Sequence, residues 1–174
     1  FIKNINENIA SGGYFIGTCY DGEKVFNLEE PVYEMKDEMG NLMYKIEKKY
    51  AIGDFTFNED DTSNMLGNEI DVYMDSIGQN ITEYLVNFKY FVYIMQQNGW
   101  KLIVPKGIKQ PHSSIFKQEL ITDQMGDFEK IVNQLEEFKD NRDPDYTSKM
   151  DPMIYDNELQ LLTSLNKYFI FQKE

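Results

Sequence analysis

Apolar and polar positions along the chain change period several times, and each change marks an element. Ile2, Ile5 and Ile9 recur at helical spacing, which predicts an amphipathic helix over residues 1–10 closing at Ser11-Gly12-Gly13. The aromatic and β-branched run from Tyr14 to Thr18 follows as a strand, and a short helix is expected over 23–28, before Pro31. "LMYKIEKKY" from Leu42 to Tyr50 and "EIDVYMDS" from Glu69 to Ser76 alternate as strands of a half-exposed sheet do. Leu85, Phe88, Phe91 or Val92, and Met95 form one apolar stripe, so "ITEYLVNFKYFVYIMQQNG" is predicted to be a single long helix stopped at Asn98-Gly99. Residues 100–104 read as a strand. Phe128, Ile131, Val132, Leu135 and Phe138 outline a second amphipathic helix, ended by "NRDPD" at 141–145. A third helix runs through Leu159, Leu161 and Leu162, and "KYFIFQK" closes the chain as a strand. Helices and strands alternate, which is the pattern of an α/β fold.

Composition narrows the class. With 174 residues, 41% hydrophobic and 14% aromatic, the chain is long and apolar enough for one real core. The only cysteine, Cys19, excludes an internal disulfide, and no apolar run approaches the ~20 residues that span a bilayer. An intracellular compartment and no membrane partner are therefore expected. The chain opens at Phe1, inside a helical pattern and without an initiator methionine, so it is read as a piece of a longer protein.

Thirty acids against seventeen bases give a net charge of −13, which argues against broad, nonspecific phosphate binding. One local exception is the strip of Lys101, Lys106, Lys109, His112 and Lys117, with no acid between 101 and 118. It is either a lysine-protected edge or a phosphate-facing surface, with Lys106 and Lys109 as the candidate contacts. Glu59, Asp60 and Asp61 lack the glycine and glutamate positions of a calcium loop, so no metal site is expected. A single His and a single Cys leave hydrolytic machinery unsupported. Gly12-Gly13 precedes a strand, whereas a nucleotide loop follows one and opens a helix.

Three blocks carry a family resemblance. "NINENIASGGYFIGTCYDG" resembles the segment of mRNA cap guanine-N7 methyltransferases in which a helix leads through a glycine pair into Phe-Ile-Gly-Thr. "NITEYLVNFKYFVYIMQQNGWKLI" is similar to the family stretch carrying a Glu-aromatic pair, and "LTSLNKYFIFQKE" to its last strand. The form "GTCYDG" with "VFNL" looks closest to the capping enzymes of large DNA viruses, which would place the protein in host cytoplasm or virion. The resemblance implies a Rossmann-like class I S-adenosylmethionine-dependent fold, with residues 1–174 as its C-terminal half. The cofactor-binding half would lie before Phe1, and this chain alone would be inactive.

The implied activity is methyl transfer from S-adenosylmethionine to N7 of the 5′ cap guanosine. N7 carries no proton, so orientation rather than a general base would supply rate. The resemblance makes Glu83 the carboxylate that accepts from guanine N1–H and N2–H2. The ordinary alternative is an acid in the first helical turn, capped by Thr82 or Asn80. Tyr168 matches a tyrosine lining the guanosine pocket; its ordinary alternative is cross-strand packing. Tyr20 stands where many cellular members have proline, and Leu66 where they have an aromatic. Capped mRNA and the remainder of the capping polypeptide, or a partner subunit, are the implied partners. Two other readings stand beside this one: a small-molecule class I methyltransferase, and a noncatalytic methyltransferase-like subunit that stabilises a partner. Gly17 to Gly22 is expected to be small and turning because it borders the cofactor and cap sites.

Overall fold

The computed structural model describes residues 1–51, 53–103, 126–128 and 157–174. The elements in chain order are α1 (Ile2–Asn8), β1 (Tyr14–Tyr20), α2 (Gly22–Phe26), β2 (Val32–Lys36), β3 (Leu42–Lys48), β4 (Glu69–Met74), β5 (Gln79–Tyr84), α3 (Phe88–Gln97), β6 (Trp100–Leu102), β7 (Gly126–Asp127), α4 (Asn157–Ser164) and β8 (Asn166–Lys173). They fall into two compact units, one of Phe1–Cys19 with Val92–Glu174 and one of Tyr20–Phe91. The architecture is mixed α/β with two sheets. Among the described residues no helix is long and apolar enough to cross a membrane.

In the first unit, the last strand is inserted between earlier ones in the order β1-β8-β6, and β7 also pairs with β8. Lys173 exchanges backbone hydrogen bonds with Gly12 and Gly13, while Phe169 lies against Gly17, so β8 runs opposite to β1. β6 is antiparallel to β8, with Trp100 opposite Lys173. Phe15 meets Trp100 edge-on at 6.4 Å and Phe169 at 5.3 Å, and Phe171 is fully buried beside them. Helix α1 is tied to this core by polar contacts: Trp100 Nε1 donates to Asn6 Oδ1 at 2.5 Å, and Lys173 Nζ donates to the Asn6 and Ile9 carbonyls.

The second unit is a meander, β2-β3-β4-β5, antiparallel throughout. Strand β2 escapes the sequence reading although "VYEMK" alternates; Asp37 turns it into β3 by accepting from the Met39 and Asn41 amides, and Gly40 takes φ +84°. The solvent face carries a charge ladder in which Lys45 and Lys49 pair with Glu47, Lys49 also pairs with Asp71 at 3.2 Å, and Thr82 donates to Asp71 at 2.8 Å. The other face buries Tyr44, Ile46, Ile70 and Val72. Lys48 donates to the Phe26 and Leu28 carbonyls, satisfying the end of α2.

Two expectations are corrected. The long helix predicted from Ile81 does not exist as one element: Gln79–Tyr84 is β5, and the helix begins at Phe88. A tight turn with Gly78 at φ +73° returns the chain onto β4, which offers six paired positions to an Ile-Thr-Glu-Tyr segment that favours extended backbone. The cap is Asn87, not Thr82 or Asn80: its Oδ1 accepts from the Tyr90 amide at 3.1 Å and its Nδ2 donates to the Phe55 carbonyl at 2.6 Å. The smallness of Gly17 and Gly22 also has a packing cause. A Cβ at Gly17 would enter the Phe169 ring, and one at Gly22 would meet the Val86 carbonyl. The helix expected over 128–138 lies outside the described residues apart from Phe128, as does Val104 of the expected strand 100–104.

Candidate functional site

Residues directly opposite in an antiparallel sheet project to the same face. Glu83 stands opposite Ile70, which stands opposite Lys48; Ile81 stands opposite Val72, and Val72 opposite Ile46. Glu83 therefore projects from the face that buries Tyr44, Ile46, Ile70 and Val72, rather than from the charged face. It is half-buried, and Ile81 next to it on the same face is 37% exposed, so the face is open along β5 and closed along β3 and β4. Burial pushes the Glu83 carboxyl above its usual range. Among the described residues no hydrogen bond or cation compensates it.

Two hydroxyls bear on the same space. Tyr20, at the end of β1, accepts a hydrogen bond from the Tyr44 hydroxyl at 2.6 Å. Tyr44 is buried to 3% exposure, and its position on β3 puts it on the Glu83 face. Burial raises the Tyr20 and Tyr44 hydroxyls above their usual range, and the Glu83 charge adds to the rise in both. Both phenols are held neutral; Tyr44 spends its hydrogen on Tyr20, and the Tyr20 hydrogen is the one left to donate.

The remaining candidates are placed as follows. Tyr168 is on β8 in the other unit, opposite Gly126, with its ring edge-on to Phe128 at 6.0 Å and its hydroxyl raised by burial. Lys106 and Lys109 lie outside the described residues. Leu66 is exposed in the turn before β4. Tyr44 was not singled out from the sequence; its signal was there in the alternation of "LMYKIEK", which marks it as core, but nothing local says that its hydroxyl meets Tyr20, 24 positions away.

For S-adenosylmethionine the described residues do not make a fitting cradle. The turn from β1 into α2 is filled by Asp21, which is buried and accepts from the Glu23 amide at 3.2 Å, and the Val86 carbonyl packs on Gly22. No strand here opens through a glycine-rich turn into a helix among the described residues.

The sequence profile of the mRNA (guanine-N(7))-methyltransferase domain matches residues 1–168. The chain belongs to this family. The mixed α/β build with antiparallel sheets agrees with a class I methyltransferase fold. An mRNA cap guanine-N(7) methyltransferase of Cryptococcus neoformans var. neoformans serotype D (strain B-3501A) is 26% identical over 109 residues, covering 63% of this chain and 14% of that protein. One from Candida glabrata is 26% identical over 123 residues, covering 68% of this chain and 28% of its own length. The chain thus matches between 14% and 28% of the length of these two relatives.

Proposed function

We propose that this chain supplies the guanine-reading side of an enzyme that methylates N7 of the 5′ cap guanosine of mRNA. Glu83 carries the proposal. It is an undercompensated carboxylate on a mostly buried sheet face, and guanine N1–H and N2–H2 are two parallel donors that would supply what it lacks. The alternative of a helix-capping acid has lost its helix.

S-adenosylmethionine, the proposed methyl donor, supplies an electrophilic methyl group and would be held mainly by parts of the enzyme outside this chain. The residues of this chain bind and orient: Glu83 holds the Watson–Crick edge and Tyr20 bounds the guanosine, while the roles of Tyr168 at the guanosine and of Lys106 and Lys109 at phosphates or the RNA chain rest on the sequence alone. N7 lies on the edge of the base away from Glu83 and needs no deprotonation, so fixing its direction is the main contribution this side makes. The proposed partners are capped mRNA and the rest of the capping polypeptide. A viral origin, with a place in host cytoplasm or virion, rests on the "GTCYDG" and "VFNL" forms.

The deciding experiment uses Glu83→Ala and Glu83→Gln in the complete methyltransferase domain. Each unpaired guanine donor costs about 1–3 kcal/mol, so methyl transfer to capped RNA should fall at least ~100-fold for Ala. Gln should fail as well, because its amide sets a donor against a guanine N–H. Near-normal turnover by Glu83→Gln would refute the assignment.

A further inference from the structure

The Tyr44–Tyr20 hydrogen bond has a direction, and the direction leaves one proton unassigned. Tyr44 donates and Tyr20 accepts at 2.6 Å. Tyr20 keeps its own O–H, and among the described residues no group accepts it. Tyr20 is part-buried, at the end of β1 where α2 begins, and Tyr44 is almost wholly buried on the sheet face that carries Glu83. A hydroxyl that already accepts a hydrogen bond is a stronger donor, so the Tyr20 hydrogen is primed for an acceptor.

The ligand proposed for Glu83 has the missing acceptor. The Watson–Crick edge of guanine presents N2–H2, N1–H and O6 in a row: two donors, then an acceptor. A carboxylate satisfies the donors and leaves O6 requiring a proton. We infer that Tyr20 donates its hydroxyl hydrogen to guanine O6, and that Tyr44 is a positioning residue which, by donating to Tyr20, turns that hydrogen toward the base. Adenine carries an amino group where guanine has O6 and no hydrogen at N1, so it would meet a donor with a donor and leave Glu83 short. This inference rests on the cap-guanosine reading of Glu83 and extends it to a residue pair specific to this chain's tyrosine at position 20.

The test compares binding of two cap dinucleotides, GpppA and its 6-thioguanosine counterpart, to the complete methyltransferase domain. Sulfur replaces O6 as a weak acceptor and leaves N1–H and N2–H2 in place. Wild type should prefer the oxygen compound about tenfold, the equivalent of one well-made hydrogen bond. Tyr20→Phe and Tyr44→Phe should each bring the two affinities within about twofold of one another, mainly by weakening the oxygen compound. Tyr44→Phe keeps the buried ring, and a purely structural role would shift both affinities together, so the ratio reads positioning rather than folding. Glu83→Gln should weaken both compounds and preserve the ratio. An unchanged ratio in either phenylalanine variant, or no preference in wild type, overturns the inference while leaving Glu83's role intact. Full binding of both compounds by Glu83→Gln would instead overturn the cap-guanosine reading beneath it.

Discussion

Ile70 and Glu83 are cross-strand partners, so a carboxylate projects beside an isoleucine with 1% of its surface exposed. Its pKa is raised, and the cause is burial alone. The folded protein therefore holds this proton more tightly than the unfolded chain does. Stability should fall as pH rises from the ordinary carboxylate value through the raised one, then level off. Glu83→Gln should remove that slope, with its gain over wild type growing through this window and complete above it, as urea titrations across pH would register. Guanine binding should behave oppositely, weakening as acid protonates Glu83, and should begin to do so at a higher pH than an ordinary glutamate would allow. A flat binding profile from pH 4 to 8 would contradict it.

Gly17 is covered by Phe169. Gly17→Ala should destabilise the first unit by about 1–3 kcal/mol through overpacking, since the ring is held between Phe15 and Phe171. Phe169→Leu should recover part of the loss in the double variant. Additive losses, measured by thermal melting of the four proteins in the cycle, would place the glycine's role elsewhere.

Tyr50 stacks on Phe26 at 5.4 Å with rings nearly parallel, yet its hydroxyl is buried with no hydrogen-bond partner among the described residues. Burial pushes that hydroxyl up to about 12. Tyr50→Phe keeps the stack and removes the unmet group, so stability should rise by about 1 kcal/mol. A loss of stability would mean that the oxygen is satisfied.

Lys106→Gln with Lys109→Gln should weaken capped RNA more than a cap dinucleotide and flatten the salt dependence of RNA binding. Equal effects on both substrates, or none, would return the strip to an ordinary solvated edge.

The alternation of "LMYKIEK" and "EIDVYM" and the β-branched, aromatic run at each end of the chain determined β3, β4, β1 and β8, because a side-chain period of two is local information. The family motif singled out Glu83. Its setting was not legible: Leu85, Phe88, Phe91 and Met95 keep a helical period that runs back smoothly over Ile81, and only pairing with β4 decides that residues 79–84 are extended. The same holds for Gly17 and for Tyr44. A glycine's reason is the Phe169 ring, 152 positions later in the chain, and the buried tyrosine's second role is a hydroxyl on another strand. Period and propensity are properties of neighbours in sequence; hydrogen-bond partners across a sheet and the atoms above a glycine are set by which segments the core brings together.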